Sequence, residues 1–103
     1  MKHTVKGDTV TVYLDGELDH HTAKGVRAEL EALIESPRVK RLVLDLSGLT
    51  FMDSSGIGVV LGRYKTLSRR GGTVAVRQPP PPVNQIFRMS GLYQIVEQLG
   101  PER

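Results

Sequence analysis

A chain of 103 residues with a formal net charge of +3 has room for one domain, since a chain this small buries only roughly two-thirds of its unfolded surface. It holds no cysteine, which excludes disulfide scaffolds, thiolate zinc sites and cysteine nucleophiles and fits a reducing compartment. No signal-type apolar region follows Met1-Lys2-His3, and no apolar run approaches the ~20 residues of a membrane helix, so a soluble intracellular protein is expected.

The basic residues are scattered through "PRVKR", "GRYK" and "SRRGG", and aromatic residues make up only 5% of the chain. Nucleic-acid binding by base stacking is not indicated, and the surplus charge reads as solvated surface.

In chain order, "TVTVYL" alternates Val10, Val12 and Leu14 with Thr9, Thr11 and Tyr13, the period of a half-buried strand. Gly7-Asp8 before it suits a tight turn, which predicts a hairpin with a first strand at Thr4 to Lys6. After Asp19, an N-cap candidate, Ala23, Val26, Leu30, Leu33 and Ile34 recur at helical spacing up to Pro37, predicting an amphipathic helix. "VKRLVLDL", Val39 to Leu46, reads as a central strand covered on its faces.

The stretch "FMDSSGIGVVLGRY", Phe51 to Tyr64, then opens a second helix on Asp53-Ser54-Ser55. Ile57, Val60, Leu61, Tyr64 and Leu67 supply its apolar stripe, and Gly71-Gly72 ends it. "TVAVR" is a further short strand, and Pro79 to Pro82 form a stiff connection. Val83, Ile86, Phe87 and Met89 make a third helical face, and "YQIVE" a last strand. Strands alternating with helices imply an α/β domain: a mixed β-sheet with an N-terminal hairpin and right-handed strand-helix-strand crossovers packed by amphipathic helices.

Several chemistries fail at the "MDSSG" block. Gly56-Ile57-Gly58-Val59-Val60-Leu61 puts Leu where a dinucleotide fingerprint needs Gly or Ala, and the Lys-Ser/Thr pair of a P-loop is missing after Gly62. A nucleophile elbow needs Gly-x-Ser-x-Gly, whereas Ser54 follows Met52-Asp53, with no oxyanion hole or base in view. His20 and His21 lack cysteine neighbours and more simply cap or line a surface than bind metal. No cofactor is expected. Gly58 and Gly62, one turn apart, read as packing or docking glycines that let another backbone come close. Asp53, Ser54 and Ser55 can all compete to cap the helix, which leaves at least one hydroxyl over for a partner or for phosphorylation.

"GELDHHTA", "LVLDLSGLTFMDSSGIGVVLGRYK" and "FRMSGL" together resemble the STAS-domain anti-sigma factor antagonists of the sporulation type, from about Thr9 to about Val96. The resemblance implies a single STAS domain over residues 1–103 and a non-enzymatic cytosolic switch, monomeric when free. Its unphosphorylated form would bind an anti-sigma factor serine kinase of the histidine-kinase-like ATPase fold and release a sigma factor, and a serine phosphatase would act on the phosphorylated form. Carried over by position, Ser54 is the phosphoacceptor, with Asp53 and Ser55 beside it. Gly16, Glu17, Asp19, His20 and His21 form an edge near that serine, and Gly56, Gly58, Gly62 and Arg63 of the second helix border the partner-facing surface.

Family members commonly continue into a C-terminal helix. Leu99 to Arg103 cannot supply a long one, so either the domain tolerates an uncovered patch on the sheet or this form of it is short. The alternative from the same resemblance is a stand-alone STAS subunit of another assembly, such as a stress-signalling scaffold or a lipid-transport complex. The intact Asp53-Ser54-Ser55 block favours the switch, because a purely structural subunit needs no acceptor serine.

Overall fold

The computed structural model describes residues 1–101. Its strands are β1 (Lys2–Lys6), β2 (Thr9–Leu18), β3 (Arg41–Met52), β4 (Thr73–Arg77) and β5 (Glu97–Leu99), and its helices are α1 (Ala23–Leu33), α2 (Ser54–Ser68) and α3 (Pro81–Ser90). A short 3-10 turn, Leu92–Gln94, follows α3. The five strands form one sheet in sequence order, β1 antiparallel to β2 and the rest parallel. The expected hairpin closes at Gly7-Asp8, with Lys6 opposite Thr9.

Alternate residues of the inner strands, Val10 and Val12, Leu42 and Leu44, Val74 and Val76, join one core with Leu30 of α1, Val60 and Leu67 of α2, and Val83 and Phe87 of α3. All three helices therefore cover the same face, as right-handed crossovers stepping in one direction across a sheet require. On the opposite face the row Tyr13, Asp45, Arg77 runs across β2, β3 and β4. Asp45, only 5% exposed, takes a 2.9 Å bond from Arg77 Nε and bonds of 3.0 and 2.7 Å from the Ser47 amide and hydroxyl. Burial pushes the Asp45 carboxyl up, but the Ser47 bonds and Arg77 outweigh it and hold the group below its ordinary value. Val43 and Ala75, in register on the same face, are buried as well.

Besides β1 starting at Lys2 and β2 running on to Leu18, the elements differ from expectation in four places. β3 runs on through "SGLTFM" to Met52, because β2 and β3 stay paired across two register shifts, Tyr13/Asp15 and Gly16/Glu17. The last strand is Glu97–Leu99, since "LYQ" closes a 3-10 turn instead. Pro81 and Pro82 are the first residues of α3, where a missing N–H matters least. Met89, assigned to the apolar face of α3, is 78% exposed. The Gly71-Gly72 stop holds: Gly71 has φ +75° and Gly72 N donates to Leu67 O at 2.8 Å, the left-handed closure that glycine favours. No helix among the described residues is long and apolar enough to cross a membrane.

Candidate functional site

The site forms where β2 and β3 end side by side. Leu18 pairs with Met52, both buried, and an aspartate follows each. The shifts in register give β3 extra residues here, and such bulges bend a strand and re-aim its side chains. Gly16 at φ +75° accommodates the bend, and its carbonyl accepts the Thr50 hydroxyl at 3.0 Å.

Asp19 opens the path into α1. Its Oδ1 accepts the His21 and Thr22 amides at 2.9 and 3.0 Å, while its own amide donates to Thr22 Oγ1 at 2.9 Å, a reciprocal box of the kind that closes helix N-termini. Ala23 N already bonds Asp19 O at 2.9 Å, so Asp19 does the capping expected of it although regular helix begins at Ala23. The Thr22 amide bond, foremost, holds the Asp19 carboxyl below its ordinary value. The Thr22 hydroxyl also donates to Glu17 O at 2.9 Å and is fully engaged.

Asp53 opens α2 more simply. Its amide donates to Leu18 O at 3.2 Å, its backbone is extended, and its Oδ1 accepts the Ser55 amide at 2.8 Å. This settles the three-way competition for the cap: the aspartate takes it. Ser54, the first helical residue, is exposed, and its hydroxyl makes no hydrogen bond among the described residues. Ser55 is half-buried and turns toward α1. There it lines an open groove of about 350 Å³ with His20, Ala23, Lys24, Arg27, Gly58 and Val59. The rings of His20 and His21 meet edge to face, 5.6 Å between centroids.

Gly16, Glu17, Asp19, His20, His21, Asp53, Ser54 and Ser55 thus gather at one end of the sheet. The α2 residues separate. Gly56 is buried, and a Cβ there would stand 2.6 Å from Met52 Cγ and 3.1 Å from Leu18 Cγ, so this glycine lets the helix settle on the two strand ends. Gly58 and Gly62 have nothing within 4 Å of an added Cβ. The packing half of the reading given to them is corrected: neither admits a neighbouring part of this chain. Gly in a helix interior is worth about 1 kcal/mol less than Ala, so the fold alone gives no reason for either.

Arg63, expected at the surface, is buried between the helices with 7% of its side chain accessible, and its Nη2 reaches Glu31 Oε1 of α1 at 3.3 Å. The stripe expected of α2 shifts accordingly: Val59 and Arg63 are buried, while Ile57, Leu61 and Tyr64 are half-buried. Sequence reading overlooked Phe51, an aromatic 48% exposed opposite Glu17, and the cations Lys24 and Arg27. The signal for Phe51 was its place two residues before Asp53; nothing in spacing alone marks the groove cations.

A single mixed sheet with its helices on one face, and a capped helix rising from a bulged pair of parallel strands, define a STAS domain. Residues 1–102 match that family, and the chain belongs to it. It is 48% identical over 85 residues to an anti-sigma F factor antagonist of Paenibacillus polymyxa, covering 82% of this chain and 73% of that protein. Among solved structures, the anti-sigma factor antagonist SpoIIAA in its unphosphorylated form superposes with a TM-score of 0.82 at 35% identity, over 95% of this chain and 86% of that one. The phosphorylated form of the Bacillus cell fate determinant SpoIIAA superposes with a TM-score of 0.74 at 34% identity, over 95% and 89%.

Proposed function

We propose that this protein is an anti-sigma factor antagonist: unphosphorylated, it docks through the β2–β3 end on an anti-sigma factor serine kinase and releases a sigma factor. Phosphorylation of Ser54 switches docking off, and a serine phosphatase restores it. The protein is a cytoplasmic binding switch, not an enzyme. The observation that carries this reading is the division of labour at α2. Asp53 takes the cap, so the Ser54 hydroxyl stands exposed and unbonded among the described residues on a rigid helix end. The relatives named as antagonists, and a SpoIIAA solved both unphosphorylated and phosphorylated, support it.

The physics of the switch follows from the position. A phosphate brings about −1.5 to −2 charges to a helix N-terminus, which favours an anion by roughly 0.3 to 2 kcal/mol. Neighbouring Asp53 repels it by an energy on the order of 1 to a few kcal/mol at solvated dielectric, so within the free domain the two effects largely offset. Against a docked partner the phosphate must shed water at a contact fitted to a hydroxyl. A loss of about 3 kcal/mol there lowers affinity roughly a hundredfold. Incubation with the anti-sigma kinase and ATP, followed by mapping of the modified residue, tests the reading. Phosphate on Ser54 is expected, and phosphate only on Ser55, or none, overturns it.

A further inference from the structure

From the groove between α1 and α2 we infer a second, basic half of the docking surface, which receives an acidic segment of the protein partner, a carboxylate side chain entering between Lys24 and Arg27. The inference rests on the antagonist reading and adds to it the charge of the partner's complementary face.

Three observations converge on it. The groove is lined on its α1 side by Lys24 and Arg27, both exposed and neither in an ion pair among the described residues. One turn further along both helices Arg63 and Glu31 meet. The Glu31 carboxylate, one turn on from Arg27 in α1, is already committed to Arg63.

Arg63 is the second observation. Its side chain is more than nine-tenths buried, yet Nε and Nη1 have no hydrogen-bond partner. Buried donors are ordinarily satisfied, and an orphaned pair asks for an explanation. A guanidinium spanning two helices, short of acceptors and with Arg27 close enough to act on its charge, adds positive charge one turn beyond the residues that line the groove. Exposed ion pairs contribute little, but a carboxylate lodged between the helices would be partly desolvated, where charge pairs in interfaces act more strongly.

The third observation is the floor. Gly58 lines the groove and leaves open space where a Cβ would stand, so a partner's backbone can lie close against α2. The rim beyond carries the opposite sign: Asp15, Glu17, Asp19 and Asp53 make no ion pair among the described residues. Acid at the strand ends and base in the groove fix the orientation of a partner with the reverse pattern.

The test uses the double reversal Lys24→Glu/Arg27→Glu, whose sites are exposed, with a thermal melt to show that the fold persists. Binding of the cognate anti-sigma factor at low salt should weaken at least tenfold, and a compensating carboxylate-to-lysine change on the partner should restore it. An unchanged affinity, with the wild-type protein binding well, overturns the groove while leaving the antagonist reading intact. A partner-free arm separates the two readings. A deca-glutamate peptide titrated into the isotope-labelled protein should shift the amides of Ala23, Lys24, Gly58 and Val59, and the reversal should abolish those shifts. If the wild-type protein binds no anti-sigma factor but the peptide still maps to the groove, the antagonist reading falls and the basic site stands. Shifts spread over the surface, or none, overturn the site.

Discussion

The two junctions at the end of the sheet are built on one plan and finished differently. In each, a parallel strand ends on a buried apolar residue, Leu18 or Met52, and an aspartate follows whose Oδ1 accepts the amide two residues on, His21 at 2.9 Å or Ser55 at 2.8 Å. At α1 a three-residue turn intervenes, and its hydroxyl, Thr22 Oγ1, is bound to the Asp19 amide and to Glu17 O. At α2 the helix starts at once, and the Ser54 hydroxyl is left over. The difference teaches that an exposed hydroxyl at a helix start is not itself a signal. It becomes available only when another group does the capping, which at α2 is Asp53.

Both junctions can be pushed until the contrast breaks. The largest effect on stability is expected at Gly56, where a Cβ would stand 2.6 Å from Met52 Cγ. Gly56→Ala should cost roughly 1 to 3 kcal/mol through overpacking, read as a lower denaturant midpoint, whereas a substitution at exposed Lys24 should leave that midpoint alone. Next is the cap. Asp53→Ala should cost about 1 kcal/mol and, more tellingly, should slow phosphorylation, because Ser54 can then take the cap position itself, its hydroxyl accepting an amide two or three residues on. A rate of phosphate transfer equal to wild type would show that the cap and the acceptor are not coupled.

Thr22→Val at the other junction should also lose about 1 kcal/mol of hydrogen bonding, with the phosphorylation rate unchanged. Smaller still, Gly62→Ala fills open space and should stabilise the free protein by up to about 1 kcal/mol; a lower melting temperature would show a close approach that the structure lacks.

The last contrast is in pH. The Asp19 carboxyl is held low, chiefly by the Thr22 amide. A depressed folded value means that its contribution is complete above the unfolded value and is lost as pH falls through the folded one. The Thr22 amide resonance, whose N–H the Asp19 carboxylate accepts, should therefore move as pH falls through that acid range.

Much of this was legible before the structure, and for identifiable reasons. Alternation in "TVTVYL" and helical spacing from Ala23 to Ile34 survive because one face of each element meets the core. The length of β3 did not show, since its second half is specified by pairing with β2 across bulges and not by its own pattern. "YQIVE" has strand-like composition, but Gly91 at φ +81° ends α3 and the chain makes one more tight turn before the sheet resumes at Glu97. At the site, the residue types of the Asp-Ser-Ser block announced a capped helix end, while which of the three does the capping is decided by the extended backbone of Asp53, which turns its carboxylate onto the Ser55 amide. Arg63 misled because charge ordinarily means surface; here the chain encloses it against Glu31.

The measurement closest to the central claim is a pair of binding titrations against the cognate anti-sigma kinase, with unmodified and Ser54-phosphorylated protein, and a thermal melt of each form. Phosphorylation should lower affinity roughly a hundredfold, equivalent to about 3 kcal/mol, and leave the melting temperature nearly unchanged. Equal affinities for the two forms would contradict the claim that the hydroxyl freed by Asp53 is the switch.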